Sequence, residues 1–584
     1  MHPFRVWAPT PKNVELDIPP QRISMTRQAG DWWTAELPSL GAGGDYGFVL
    51  DGEGPFPDPR SPYQPHGVDG PSRPVTHANF AWADMGWQAP PLSSAVIYEL
   101  HIGTFTPRGT FDAVIEKLDH LVDLGVTHVE LMPVNEFSGE HGWGYDGVDL
   151  YALHHAYGAP ESLKRLVEAC HLRRLAVILD VVYNHFGPVG NFWAKFGPYQ
   201  KDNFSTPWGA AINFDGAHSE EVRRFFCDNA LMWLRDYHFD GLRLDALHAI
   251  ADNSAEPFIE QLAEEVKMLE AQLGRHLVLI AEDDRNEPRL LWSRGRGGFA
   301  LHAHWNDDFH HALHSVLTGE TTGYYVDFGT LADVCKALQR AYVYDGRFSA
   351  FRRRRQGRTP LGLDGSRFLA YLQNHDQIGN RAFGERSGHL MSAGRLKAAA
   401  ALILTSPFLP MFFQGEEWGA STPFLYFSDH RDAMLAEKVR DGRRREFPAL
   451  ANKPEAIPDP QAPETFHRSK LAWDEISQPR HAELLDWHKR LIRLRRSNPS
   501  LCDGRMEDVC AQGDEKERWL TVQRGPWTIV CHLGPVPVSL RLRDGIHELV
   551  AASETGIIFS PPSITLPPDS VAILKLQDRA GALI

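Results

Sequence analysis

From residue 95 to about residue 500 the chain alternates short apolar runs with amphipathic stretches, and no other feature restricts its fold as strongly. The segment AVIYELHIGTF (95–105) reads as a buried strand. FDAVIEKLDHLVDLG (111–125) reads as one amphipathic helix, apolar at Phe111, Val114, Ile115, Leu118, Leu121 and Val122 and stopped by glycine. Seven further buried runs follow: THVELMPV (127–134), LAVILDVV (175–182), GLRLDA (241–246), HLVLIAED (276–283), FALHAHW (299–305), FLAYLQN (368–374) and PMFFQG (410–415). Helical patterns separate most of them, from ESLKRLVEAC to RLKAAAALILTS. Strands joined through helices pair in parallel, and eight of them close most economically into an α/β fold, a (β/α)8 TIM barrel. The expected barrel domain is 91–500, ending on helix AELLDWHKRLIRLRR. An inserted subdomain at about 186–220 is too long for a simple strand-to-helix loop.

The flanks have a different rhythm. In 1–90, the strand-like runs FRVWAPT, VELDI, WWTAEL and YGFVL are separated by turn-rich GAGGD and DGEGPFPDPRSPYQP. This predicts an N-terminal β-sandwich resembling carbohydrate-binding modules, with QAPPLSS (88–94) as a linker. RWLTVQR, WTIVCHL, VSLRLR and SVAILKL predict a C-terminal β-sandwich over 501–584. A net charge of −15 disfavours nucleic acid as a partner. No apolar run is long and unbroken enough to span a bilayer, so no membrane is expected. The six cysteines form no CxxC pair, and the N-terminus lacks a signal-peptide pattern, so a cytoplasmic location is expected.

Reactions on such a barrel occur at the C-terminal ends of its strands. Asp180, Asp245, Glu282 and Asp376 all fall there. Carboxylates that converge from distant parts of a chain suit glycoside hydrolysis, which needs a nucleophile, an acid/base and groups that orient the sugar. Arg243 lies two residues before Asp245, on the same strand face, where its guanidinium favours the ionised carboxylate.

The segments DVVYNH (180–185), GLRLDALHA (241–249), AEDD (281–284) and QNHDQIGN (373–380) resemble, in order, the four short motifs of the α-amylase superfamily, glycoside hydrolase family 13. That resemblance implies Asp245 as nucleophile, Glu282 as general acid/base and Asp376 as the carboxylate that grips the sugar and stabilises the transition state. It implies sugar-binding roles for His185, Arg243, His248 and His375, and stacking for Tyr145 in GWGYDGVDLYALHHAYG (142–158). Trp193, Phe196, Tyr199 and Trp208 in the insert suit sugar contact and ordinary packing equally.

Within the superfamily, AEDDRNEPRL (281–290), LQNHDQIGNRAFGER (372–386) and AHWNDDFHHALH (303–314) are similar to the maltooligosyltrehalose trehalohydrolase family. The resemblance implies cleavage of the α-1,4 bond next to a terminal trehalose unit, with maltooligosyltrehalose and α-1,4-glucans as partners. Asp283, Arg285, Arg381 and Glu385 are then expected on the leaving-group side. Glycogen branching enzymes are the nearest alternative, and a non-catalytic amylase-like binding protein is the alternative of another class. Calcium-dependent amylases use an asparagine equivalent to Asn184, but the insert has few carboxylates, chiefly Asp202 and Asp215. With no HExxH arrangement either, no cofactor and no metal are expected. The run Arg352–Arg355 with Arg358 reads as a solvated loop.

Overall fold

The computed structural model describes residues 2–37 and 44–577, so most of the GAGGD turn lies outside the described residues. Eight parallel strands form a closed barrel, with each run predicted as a barrel strand supplying one of them. They are Ile97–Leu100, His128–Leu131, Ala176–Val181, Gly241–Leu244, Val278–Ala281, Ala303–Trp305, Phe368–Ala370 and Leu409–Phe413. Closure comes from the eighth strand lying on the first, with Met411 opposite Ile97 and Phe413 opposite Glu99. Ile97, Ile178, Ile280, Leu369 and Met411 fill the barrel interior as one buried cluster. Their burial removes apolar area from water, the main driving force for closure.

Two predicted elements differ. The 95–105 run stops being a strand at Leu100, and Ile102–Phe105 turns into a short buried helix. All four of those residues are buried, and a short apolar run cannot by itself distinguish strand from buried helix. The single predicted helix at 111–125 is two, Phe111–Ile115 and Leu118–Leu124, broken around Glu116 and Lys117. The second ends as predicted, on Gly125 in the left-handed region (φ 98°). The predicted arginine run is exposed at Arg353, Arg354, Arg355 and Arg358, and it lies on a hairpin, Asp345–Ser349 paired with Arg354–Gly357.

The N-terminal segment forms a three-stranded and a four-stranded antiparallel sheet, and the C-terminal segment a five-stranded and a three-stranded one. We propose domain boundaries near residues 90 and 500 on this arrangement. The 88–94 segment is docked rather than free: Gln88 Nε2 donates to the Gly274 carbonyl across 2.8 Å. Just before it, Trp87 Nε1 donates to Asp240 Oδ1 (2.8 Å). His171 is clasped between Asp84 and Asp240 at 2.8 and 3.0 Å. These contacts tie the entry segment to the underside of the barrel, opposite the strand ends that carry the candidate site.

Candidate active site

At the C-terminal ends of the strands lies a cavity of about 340 Å³. It is lined by Trp143, Tyr145, Asp146, His185, Trp208, Asp245, Ala246, His248, Glu282, His375, Asp376, Asn380, Tyr426 and Phe427. Eleven of these residues come from five parts of the chain, the loop after strand two and the ends of strands three, four, five and seven.

Arg243 organises the floor. It is fully buried, and its Nη1 donates to Asp180 Oδ2 (2.8 Å) and to Asp245 Oδ1 (2.7 Å). Its Nη2 lies 3.5 Å from Glu282 Oε2, and its guanidinium covers the Trp305 ring at 4.3 Å. One cation therefore touches three carboxylates. Asn184 Nδ2 donates to the other oxygen of Asp245 at 2.7 Å, so both oxygens of that carboxylate are fixed. The asparagine that calcium-dependent amylases give to their ion is here engaged with Asp245 and His185. Asp215 pairs with Lys201, and the side chain of Asp202 lies outside the described residues.

Immediately after Asp245, Ala246 turns into the left-handed region (φ 41°, ψ 53°). There its N–H donates to Glu282 Oε2. The turn is unfavourable for alanine, by roughly 1–2 kcal/mol, and the hydrogen bond from its N–H to Glu282 holds it. Burial drives the Glu282 carboxyl well above the ordinary range; Arg243 opposes this, while Asp245 and Asp376 reinforce it.

A second chain of contacts crosses the mouth. Tyr145 donates its hydroxyl hydrogen to Asp180 Oδ2 at 2.6 Å, and the Tyr145 hydroxyl oxygen lies 2.9 Å from His375 Nε2. His375 Nδ1 is 2.5 Å from Glu99 Oε1 at the end of strand one. Burial opposes a charge on His375, yet Asp376 and Glu99 push its pKa up to about 9. Asp376 begins a short helix capped by Asn374 and accepts from Asn380 Nδ2 at 3.3 Å. Burial lowers the pKa of His185.

The cavity thus gathers Asp245, Glu282, Asp376, Tyr145, His185, His248 and His375, with Arg243 beneath them. Four residues expected on the leaving-group side do not line it. Asp283 is buried and accepts from Arg285 Nε at 2.9 Å, closing a pair within one turn of chain. Arg381 is held by Glu320 (2.9 Å) and approaches Glu385 at 3.6 Å. Each of these side chains already faces one of opposite charge. The insert aromatics divide: Trp193, Phe196 and Tyr199 are buried, Trp193 stacking on Phe186, whereas Trp208 is half exposed and lines the cavity beside His185. Sequence reasoning missed Glu99, Trp143, Asn380, Tyr426 and Phe427; Glu99 had a usable signal, since it ends a barrel strand.

The catalytic domain model of the alpha amylases matches residues 75–208, and a domain of unknown function matches residues 504–573. A malto-oligosyltrehalose trehalohydrolase of Mycobacterium tuberculosis is 47% identical over 99% of this chain and 100% of its own length. One from Arthrobacter ramosus is 49% identical over 96% of this chain and 99% of its own. Among solved structures, a putative alpha amylase from Salmonella typhimurium superposes with a TM-score of 0.90 at 37% identity, covering 98% of this chain and 97% of that one. With an amylase-type barrel and relatives of this identity along nearly its whole length, the chain belongs to the malto-oligosyltrehalose trehalohydrolase family.

Proposed function

We propose that this protein is a retaining glycoside hydrolase that cleaves the α-1,4 bond next to the terminal trehalose unit of maltooligosyltrehalose, releasing trehalose and a maltooligosaccharide. The observation that carries the reading is the shared guanidinium: Arg243 holds Asp245 and Glu282 against one cavity. Burial keeps the Glu282 carboxyl well above the ordinary range, which supports its part as the acid.

Asp245, with one oxygen on Arg243 and one on Asn184, is presented as the nucleophile. Glu282 is the acid. Both of its neighbouring donors, Ala246 N–H and Arg243 Nη2, face Oε2, which leaves Oε1 to carry the proton. In the first step Asp245 attacks the anomeric carbon, the glycosidic C–O bond breaks, and the Glu282 proton passes to the leaving trehalose oxygen. In the second, Glu282 takes a proton from water, whose oxygen displaces Asp245. Asp376 and the cationic His375 bind sugar hydroxyls, and Tyr145 and Trp208 supply ring faces. We propose a cytoplasmic location, in keeping with six free cysteines and with no membrane-crossing helix among the described residues.

Incubation with maltooligosyltrehalose should give trehalose, and proton NMR in the first minutes should show the new reducing end as the α-anomer. An initial β-anomer would make Asp245 a base rather than a nucleophile. Formation of branch points from an α-1,4-glucan would place the activity with the branching enzymes.

A further inference from the structure

The loop that carries Trp143, Tyr145 and Asp146 into the cavity is the tip of a hairpin. Its neck is the short pairing of Asn135–Glu136 with Asp149–Leu153. On one side of the neck stands Glu136, and just past the other stand His154 and His155. Glu136 and His154 have no exposed side-chain surface, and His155 has little. A donor atom from each of the three lies within 4.8 Å of the others.

The hydrogen bonds around the trio orient it. His154 Nε2 is 3.3 Å from the Glu140 carbonyl, an acceptor only, so Nε2 keeps its proton. His155 Nε2 is 3.4 Å from the Glu140 carboxylate. One residue thus fixes the outer nitrogen of both rings, although Arg431 also approaches that carboxylate, at 4.0 Å. Both Nδ1 atoms then face Glu136: His155 Nδ1 at 2.8 Å from Oε1 and His154 Nδ1 at 3.6 Å from Oε2. His154 Nδ1 has no hydrogen-bond partner. In a neutral ring its lone pair points at a buried carboxylate, an unfavourable contact that a cation between them removes.

We propose that Glu136, His154 and His155 bind one divalent cation of the zinc class, with water as the fourth ligand. Bonds of 2.0–2.1 Å in tetrahedral array separate donors by about 3.3 Å, inside the observed spread. Metal-bound histidines ordinarily donate their second N–H to a carbonyl or carboxylate, and Glu140 offers both. Two imidazoles and one carboxylate suit zinc over calcium or magnesium. The cation would fasten the hairpin neck and so steady the wall that carries Tyr145.

The test is metal content. Full-length protein stripped with a chelator, given Zn²⁺ and passed through gel filtration, should retain about one zinc per chain by mass spectrometry and melt higher than the stripped form. Cobalt(II) in its place should give the visible bands of a tetrahedral site. E136Q and H154A should keep less than about a tenth of the metal. If either fails to fold by circular dichroism, E140A, altered at an exposed side chain, should fold and bind zinc about 10- to 100-fold more weakly. Stripped wild type that takes up no zinc, with His154 doubly protonated by NMR, overturns the proposal: a proton then does the balancing. Equal uptake by wild type and the folded variants overturns it too.

Discussion

Gly379→Ala should damage the sugar site without touching a charged group. Gly379 ends the short helix that begins at His375 and presents Asp376. A Cβ there would meet Trp143 Cζ2 at 2.0 Å and Cη2 at 2.1 Å. Ordinary contact begins near 3.4 Å, so ring or helix must give way by about 1.4 Å. Trp143 has little freedom: its Nε1 donates to the Leu425 carbonyl at 3.0 Å, and Phe424 and Tyr426 pack on it at 5.3 and 5.2 Å. Forcing a methyl into such a contact costs roughly 1–3 kcal/mol. A displacement of about an ångström at a reacting centre costs roughly 10²-fold in rate. Trehalose release from maltooligosyltrehalose should show kcat/KM falling about 10²-fold, with a lowered Tm. G379A combined with W143F should recover part of the Tm, because the smaller ring frees the space that the methyl enters. Wild-type kcat/KM and Tm in G379A would refute the reasoning, since the packing around Trp143 would then be far softer than its contacts indicate.

Asp245→Asn and Glu282→Gln should each lower activity by roughly 10³–10⁶ while leaving circular dichroism unchanged; E282Q alone should still release a leaving group that needs no proton. His375 contributes pH-dependent stability: with its pKa raised to about 9, the gain is complete below its ordinary value of 6.5 and disappears as pH rises through 9. Denaturant midpoints across that window should fall more steeply for wild type than for Glu99→Gln, which removes one of the charges holding the proton. Arg285→Ala and Arg381→Ala should reduce kcat/KM equally on maltooligosyltrehalose and on maltooligosaccharide, because both arginines are engaged away from the cavity; a selective loss on the first substrate would return them to the site.

The strands were legible because each is a buried run bounded by punctuation, and the carboxylates because they end those runs in a recognisable order. What lay hidden depended on contacts between distant positions. Tyr426 and Phe427 stand in FLYFSDH, where nothing in the local pattern marks a sugar-facing pair. Trp193 and Trp208 have similar surroundings in sequence, and only the fold shows that one is packed and the other faces the cavity. Arg381, expected to read the substrate, is held by Glu320, a residue 61 positions away, and does not line the cavity. Glu136 and the His154–His155 pair match no familiar ligand spacing; the hairpin neck alone makes them neighbours.

Closure of the barrel by its last strand on its first has a consequence for synthesis. The cavity draws residues from Trp143 to Phe427, and Glu99, which steadies His375, sits opposite Phe413. A chain still leaving the ribosome therefore holds Asp245 and Glu282 long before the wall that completes the cleft. Strand one, made early, waits for strand eight with one edge unpaired. The nascent protein thus lacks a complete cleft until about three quarters of it has emerged, and that waiting edge is where a stalled or truncated chain would stick to its neighbours.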